Sequence, residues 1–407
     1  MAGFSGMFNT GNFAQNLAKL SFAQMITRLM PNGQAPLFAI SSMMKTETAV
    51  QPEHGFFTKT MLFPQFVLAS AVADGTTNVF TVVDSSNILP GMTLRSQDTG
   101  ENIIVDNIIS PTSIQVVRGV GTVTPVAINN STPFYQVGSA FEEGSVRPIA
   151  LNITPVRITN YTQIFRNSWA LTDTARATLV IAGETTIAES KQDCAAFHAL
   201  DIEKSLLFGQ KFLGTRKGQP FRTMDGILNI IANPAYYPAQ FPTPNVTTAG
   251  STTNYTQLEA ALDACFNQTT DPKVSNERVL FVGGTARKVL NNIGRLNGTY
   301  YMVDGQLNFG LQFQTFKISR GTFRMIEHPL LNTNPDWAKM AIALDLSTFA
   351  LAYLGDRKTR FDPFGVGEGG DAGLDAQGGT LTTELTCTIK NPPANAVIYN
   401  LTAGAAG

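Results

Sequence analysis

The longest apolar pattern of the chain is a helical stripe between positions 172 and 208. No proline occurs between positions 156 and 219, Thr172 can cap the first amide groups, and Gly209 follows the last apolar residues. The pattern therefore predicts one uninterrupted helix of about 50 Å. The stripe recurs at roughly every seventh residue, and its main members are Val180, Ile181, Ile187, Cys194, Ile202 and Leu206.

Polar residues interrupt this stripe. Glu184, Lys191 and His198 fall on the same face. A coiled coil needs apolar positions that are sustained over several heptads, so it is the weaker interpretation. We expect instead a rod that lies half exposed across a sheet.

A shorter amphipathic pattern lies near the N terminus. Its apolar positions predict a short helix that ends at the turn sequence 31–33, and they include Phe13, Leu17, Leu20 and Ile26. Only two basic residues accompany them, which is little for a membrane anchor. The pattern indicates an arm whose apolar face packs on protein.

Two extended segments, 56–66 and 135–161, flank a stretch of different character. They predict a long two-stranded excursion that carries Phe57 and Lys59 on one side and the turn of Glu142 and Glu143 on the other. The stretch between them, 67–133, has no lysine, one aromatic residue and frequent glycine or proline turns. It predicts a small inserted β domain, with strands at 78–83, 92–94, 102–109 and 113–118.

The second half of the chain mixes both periodicities. Helices are expected at 255–266 and 285–293, and a buried strand is expected at 278–282. Apolar runs predict central strands at 340–344 and 349–354, and segments 380–390 and 396–401 are expected to form a terminal pair around two prolines. The predicted fold class is α+β.

The composition favours extensive protein contacts. Of the 407 residues 43% are hydrophobic and only 14% are charged, and the net charge is -1. These values give no global electrostatic case for binding to nucleic acid or to a membrane surface. The three cysteines are widely spaced, which favours buried free thiols. Neither a secretory signal nor a run of about 18 apolar residues is present.

Motifs for chemistry are weak throughout. The glycines at 283–284 follow a strand and precede a helix, but the spacing and the lysine of a P-loop are missing. No GxGxxG follows a strand, no GxSxG occurs, and the three histidines lie in neither HExxH nor cysteine clusters. The acidic residues of the insert lack the spacing of a calcium loop. We therefore expect no catalytic, cofactor-binding or metal-binding residues.

Four local motifs and their order resemble the major capsid proteins of tailed bacteriophages, whose shell fold is the Hong Kong 97 type. The motifs are NYTQIFR at 160–166, DIEKSLL at 201–207, MDGI at 224–227 and the closing stretch 384–402. The resemblance implies an N-terminal arm (1–45), the first strand of an extended loop (46–66), an inserted β domain (67–133), the return of the loop (134–165), a peripheral domain with a spine helix (166–224), an axial domain (225–346) and returning peripheral strands with the C terminus (347–407).

The resemblance also implies a function and partners. Many copies would associate through pentamers and hexamers into an icosahedral head that encloses double-stranded DNA with weak, nonspecific contact. Scaffolding, portal and decoration proteins would be its other partners, and the protein would be assembled in the host bacterial cytoplasm and reside in the virion. Some relatives crosslink through a lysine of the loop, where Lys59 stands here, but the sequence identifies no partner for it.

Two alternatives remain open at the level of sequence. An encapsulin-like bacterial nanocompartment would use the same fold to enclose an enzyme. An α+β hydrolase or a nucleotide-binding enzyme would need a deep pocket with converging titratable groups.

Overall fold

The computed structural model describes residues 45–59, 63–150, 152, 154–177, 186–237, 243–267, 276–297, 304–308, 311–365 and 376–404. The arm residues Phe13, Leu17, Leu20 and Ile26 lie outside the described residues, as do Val180 and Ile181.

The first half of the chain is rich in short strands. These are β1 (Lys45–Ala49), β2 (Glu53–Thr58), β3 (Gln65–Val67), β4 (Val79–Thr81), β5 (Met92–Ser96), β6 (Asn102–Ser110), β7 (Ser113–Val117), β8 (Pro133–Ser139), β9 (Val156–Tyr161), β10 (Gln163–Thr172), β11 (Phe212–Arg216) and β12 (Gln219–Thr223). Two helices precede β11, namely α1 (Asp173–Ala177) and α2 (Thr186–Phe208).

Helices and strands alternate in the second half. The helices are α3 (Ile227–Ala232), α4 (Tyr255–Asp263) and α5 (Gly284–Asn297). The strands are β13 (Val246–Thr248), β14 (Glu277–Val282), β15 (Asp304–Asn308), β16 (Leu311–Lys317), β17 (Thr322–Glu327), β18 (Ala341–Leu344), β19 (Phe349–Leu354), β20 (Arg360–Gly365), β21 (Ala376–Ile389) and β22 (Ala396–Tyr399). The mixed α+β class is confirmed.

The chain divides into two compact units. One unit is Phe57–Arg157, and the other consists of the described residues before and after it. The smaller unit contains a six-stranded sheet in the order β3-β8-β5-β6-β7-β4. The larger unit contains a seven-stranded sheet in the order β13-β22-β18-β14-β17-β16-β15 and a five-stranded sheet in which β1-β19-β21-β10 are neighbours and β20 also pairs with β21.

The seven-stranded sheet is covered on both faces, which explains its continuous apolar strands. In β14, Val279 and Phe281 join one core cluster, whereas Leu280 and Val282 join another. Successive side chains of a strand point to opposite faces, so a strand that is buried on both sides loses the alternating pattern. Helices α4 and α5 supply the second cluster.

Strands β21 and β22 correct one expectation. They were predicted to pair with each other, but β21 lies in the five-stranded sheet and β22 in the seven-stranded sheet. A short 3₁₀ turn at Pro392–Ala394 separates them. The fixed φ of the two prolines favours a turn that leads the chain into the other sheet over a tight reversal. The Asn395 side chain stabilises this turn by donating to the carbonyls of Asn391 and Pro392.

The start of the predicted helix is confirmed, because a helix begins at Asp173 directly after Thr172. Thr172 is the last residue of β10, and its hydroxyl caps the short helix α1 by accepting from the amide of Ala175. The long described helix is α2, which has 23 residues and spans about 35 Å. Its predicted end at Phe208 is confirmed. Residues 178–185 lie outside the description, so continuity of the whole rod stays a prediction.

The insert forms its sheet from more of the chain than 67–133. Strands β4, β5, β6 and β7 overlap the four predicted strands, but β3 and β8 extend the sheet from Gln65 to Ser139. The two segments of the predicted excursion pair as β2 with β9 at one end, and at the other end they pair as β3 with β8 within the sheet of the insert. Both flanking segments read as extended and apolar, so their pattern did not reveal which sheet each would join. The domain boundaries as a whole remain predictions.

Within the described helices, none is both long and apolar enough to cross a membrane.

Candidate assembly surfaces and the buried polar network

The stripe of α2 faces the interior of the protomer at its C-terminal end. Ile202 and Leu206 are 1% and 0% exposed and belong to the larger core, and Cys194 is also buried. Ile187, near the start of α2, is only half-buried. The described part of the stripe thus passes from a half-buried Ile187 to a fully buried Ile202 and Leu206.

His198, which interrupts the stripe, connects α2 to the five-stranded sheet. Its ring nitrogens lie 2.8 Å from the Asn167 side chain of β10 and 2.8 Å from the Thr383 hydroxyl of β21. Burial lowers the pKa of His198, and the nearby Asp201 opposes that shift. The imidazole of His198 is therefore neutral at neutral pH. Its contacts with β10 and β21 confirm the expectation that the helix lies across a sheet.

A second polar link on α2 is fully buried. Nε2 of His328, just after β17, lies 2.8 Å from a carboxylate oxygen of Glu203, and both side chains are 0% exposed. Nδ1 of His328 accepts from the amide of Leu330. Because Nδ1 accepts, the ring proton is on Nε2. Nε2 and the Glu203 carboxylate lie at ion-pair distance without the geometry of a hydrogen bond. This contact ties the spine helix to the seven-stranded sheet.

Asp225 lies at the centre of a buried hydrogen-bond network. Its carboxylate accepts from the Tyr236 hydroxyl, the Asn229 side chain and the Lys211 amide. Burial, with Asp225 beside it, raises the pKa of Tyr236 above its ordinary range. The phenol therefore stays protonated and donates.

Asn160 extends this network to β21. Its side-chain NH₂ donates to the backbone carbonyls of Asp225 and Cys387, at 3.1 and 2.9 Å, while its oxygen accepts from the amide of Asp225. Burial raises the pKa of Cys387 to about 12, so this thiol is neutral. All three cysteines are buried and free, as predicted.

Gly209 and Gly226 let two backbone segments cross beside this network. The amide of Gly226 donates to the carbonyl of Gly209 at 3.0 Å. A Cβ on Gly209 would lie 2.5 Å from the Ser205 carbonyl, and one on Gly226 would lie 2.5 Å from the Gly209 amide. Glycine is needed at both positions because of this close approach rather than because of a positive φ.

Glu384 provides another buried charge. Its carboxylate is 0% exposed, accepts from the Thr162 hydroxyl at 2.8 Å, and lies 2.7 Å from Arg357 and 3.8 Å from Arg222. Such pairing is what makes a buried carboxylate tolerable.

The four sequence motifs therefore each contribute a buried polar side chain to the larger unit. Asn160, Glu203, Asp225 and Glu384 come from different motifs, and each side chain joins distant elements of the chain. Asn160 and Asp225 form hydrogen bonds within the protein, and Glu203 and Glu384 also lie at ion-pair distance from His328 and Arg357. We interpret this chemistry as structural. The sequence indicated the motifs but not the partners within them.

The glycines at 283–284 do not present free amides. The Gly283 amide donates to the Met340 carbonyl, and the Gly284 amide donates to the Asn332 side chain at 2.6 Å. A Cβ on Gly283 would lie 2.4 Å from the Ala338 carbonyl oxygen. The glycines therefore allow close packing, and a phosphate would have to displace these partners. In the described part of the chain, no cluster of three or more His, Cys, Asp or Glu residues is arranged for a metal.

The surface of the molecule carries the remaining candidate residues. Phe57 on β2 is 70% exposed, and Lys59, Glu142 and Glu143 are also exposed. The sequence pattern did not predict the β11–β12 hairpin. This hairpin exposes Phe212, Leu213 and Phe221. Large apolar side chains in water are typical of surfaces that a partner covers.

Comparison with known proteins decides the family. The sequence model described as SU10 major capsid protein matches residues 5–402. A major capsid protein of Pseudomonas phage PaMx41 is 36% identical, and the alignment covers 98% of this chain and 97% of that protein. The chain belongs to the SU10 major capsid protein family. Both matches favour a phage major capsid protein over the encapsulin alternative.

Solved capsid structures show weaker overall similarity to this major capsid protein. An empty GTA particle capsid has a TM-score of 0.47 at 10% identity, with 98% of this chain and 100% of that chain covered. The Mycobacterium phage Bobi structure has a TM-score of 0.47 at 10% identity and coverages of 95% and 96%. The SrpI encapsulin of Synechococcus elongatus has a TM-score of 0.43 at 11% identity and coverages of 61% and 78%.

Proposed function

We propose that this major capsid protein assembles through pentamers and hexamers into a closed icosahedral phage head of the Hong Kong 97 type. Family membership over nearly the whole chain is the observation that carries the proposal. The exposed apolar residues of the loop and of the β11–β12 hairpin support it, because a subunit of a shell buries such residues against neighbouring copies.

The proposed role of each region follows the sequence prediction. The arm, with Phe13, Leu17, Leu20 and Ile26, and the extended loop, with Phe57, Lys59, Glu142 and Glu143, would reach neighbouring subunits. The spine stripe of Val180, Ile181, Ile187, Cys194, Ile202 and Leu206 would contribute mainly by keeping α2 fixed. This assignment is supported by the burial of Ile202 and Leu206.

The proposed contents of the head are double-stranded DNA, held by weak and nonspecific contact. The net charge of -1 supports this, since tight phosphate binding needs clustered positive charge. Assembly would occur in the host bacterial cytoplasm, with scaffolding, portal and decoration proteins as partners. The role is structural, without catalysis.

Sedimentation and electron microscopy of purified protein test the proposal. Rapidly sedimenting, closed particles of uniform size are expected under assembly conditions. Only monomers under a wide range of such conditions would contradict it. Nuclease-protected double-stranded DNA in native particles would distinguish a head from a nanocompartment, in which an enzyme would be found instead.

A further inference from the structure

The spine helix α2 makes polar contacts with both sheets of the larger unit. Toward the five-stranded sheet, the His198 ring lies 2.8 Å from the Asn167 side chain and 2.8 Å from the Thr383 hydroxyl. Toward the seven-stranded sheet, the Glu203 carboxylate lies 2.8 Å from Nε2 of His328, which directly follows β17. The placement of one sheet against the other therefore depends on how α2 contacts each of them.

Apolar contacts surround the Glu203–His328 pair. Leu206 and Leu207 of α2 belong to the same core cluster as Leu331, and the Phe208 ring stacks on the Trp337 ring with centroids 4.2 Å apart. Apolar burial is not directional. A helix that moves along its axis by one turn, about 5.4 Å, can therefore still bury apolar side chains.

The carboxyl group of Glu203 is what distinguishes one register of α2 from the next. Ala199 and Leu207 stand one turn before and one turn after it. A shift by one turn would place one of these residues beside His328 and would move the carboxyl group among apolar side chains. That move costs free energy, because nothing there replaces the water that the carboxyl group has lost. A single polar residue in an apolar seam fixes the register of coiled coils in the same way.

The pair has the geometry of a contact that adds little stability. Both side chains are 0% exposed, and neither the Glu203 oxygens nor Nε2 of His328 form a hydrogen bond with any residue that the structure describes. Replacing a buried pair by apolar residues often leaves stability unchanged or raises it. The orientation of the ring is nevertheless well defined, since Phe281 packs edge-on at 5.8 Å and Nδ1 accepts from the Leu330 amide.

We propose that Glu203 and His328 are positioning residues that fix the register of α2 against the seven-stranded sheet. This inference rests on the proposed function, since a closed shell of uniform size needs every copy to present its surfaces at the same angle. A protomer without the pair keeps its fold but loses its single register. Cores that lose specific contacts lose uniqueness before they lose stability.

A distance measurement in unassembled subunits tests the register directly. Spin labels are placed by Lys204→Cys on α2 and Lys317→Cys on β16, both of which are exposed. The three native cysteines are buried. Glu203→Met leaves His328 and its contact with Leu330 in place. We expect one narrow distance for the original side chains and, for Glu203→Met, a broadened distribution or a second distance up to about 5 Å from the first.

Two further variants and a stability measurement separate the explanations. Glu203→Gln keeps a polar side chain opposite Nε2 and should retain the single distance, as should Leu207→Met, a volume-conserving change of a buried neighbour. The urea midpoint of Glu203→Met should equal or exceed that of the original protein. If Glu203→Met does not fold, Glu203→Met with His328→Phe removes both partners and carries the same expectation. A single narrow distance in the folded variant would overturn the proposal.

Assembly provides the second readout. We expect the fraction of particles with the majority diameter, counted by electron microscopy, to fall about threefold or more for Glu203→Met. Glu203→Gln and Leu207→Met should leave that fraction unchanged. Uniform particles of Glu203→Met would overturn the proposal. Failure of the original protein to form particles would contradict the proposed function, whereas the distance measurement would still decide the register.

Discussion

The six-stranded sheet of the insert and the β11–β12 hairpin are both antiparallel, yet they differ in what covers them. The sheet buries Phe80, Leu94, Ile103 and Phe134 completely on one face. Among the described residues of its own unit, no second layer covers the hairpin, and its aromatic pair is exposed. Two isolated strands bury too little area to be stable alone. The insert therefore has a core of its own, whereas the hairpin has a surface that we expect a partner to cover.

Two buried charged side chains of the insert, Arg118 and Glu101, pair with each other. Arg118 donates to Glu101 through two nitrogens at 3.1 and 2.6 Å, and both side chains are at most 2% exposed. The Gly119 amide also donates to Glu101, and the guanidinium lies 5.5 Å from the centroid of Phe80. Arg118 and Glu101 thus have their partners within the insert.

Deletion of the insert is expected to have the largest effect, and that effect depends on where the chain is cut. Removal of 65–139 with a short glycine-serine linker should leave a soluble remainder. Removal of 67–133 keeps Phe66 and Phe134, which stack at 4.7 Å in the insert core, and exposes both to water. We expect the second protein to aggregate. Soluble yield and melting of the two proteins measure the difference, and equal behaviour would contradict an independent insert core.

Ile202→Asp should destabilise the larger unit next most severely. The substitution places an unpaired carboxylate at a position that is 1% exposed on α2, and we expect a loss of about 4 kcal/mol or more. Urea denaturation of the unassembled subunit measures this. Ile187→Asp is the matched control, and its half-buried position predicts a smaller loss. Equal losses would show that the stripe is covered evenly.

Glu101→Ala should destabilise the insert by about 3–5 kcal/mol, because it leaves Arg118 buried without its partner. Calorimetry should show an earlier transition for the insert and an unchanged transition for the rest of the chain. Asp98→Ala, at an exposed carboxylate of the same domain, should change little. A shift of both transitions together would contradict the independence of the two units.

The smallest expected effect concerns pH and His198. The pKa of this histidine is lowered in the folded state from 6.5, so protonation favours the unfolded chain. Its contribution to stability is therefore complete above about pH 6.5 and is lost as pH falls through the lower folded value. Urea denaturation at several pH values measures the slope. His198→Gln should reduce that slope, and an unchanged slope would assign the pH dependence to other groups.

The sequence predicted those elements whose pattern is local. Strand β14 and helices α4 and α5 were identified because a continuous apolar run and helical spacing each depend on neighbouring residues. The pairing of β21 and β22 was wrong, because the choice of sheet depends on distant partners. The hairpin was missed, although Lys217 and Gly218 are a turn signal, since Pro220 and the exposed aromatic residues are unusual for a strand.

The candidate site was predictable only in part. The motifs around Asn160, Glu203, Asp225 and Glu384 were recognisable as strings of residues, but their hydrogen bonds connect positions up to 227 residues apart. No local pattern contains that information. The exposed Glu142 and Glu143 turn was predictable because glycine follows two charged residues.

Hydrogen exchange in unassembled subunits and in purified particles tests the central claim most directly. We expect assembly to slow exchange about tenfold or more in the β11–β12 hairpin and around the Glu142–Glu143 turn. Exchange in the core strands β5, β6 and β7 of the insert should stay the same. Equal exchange of the hairpin in both states would contradict the claim that neighbouring copies cover this surface.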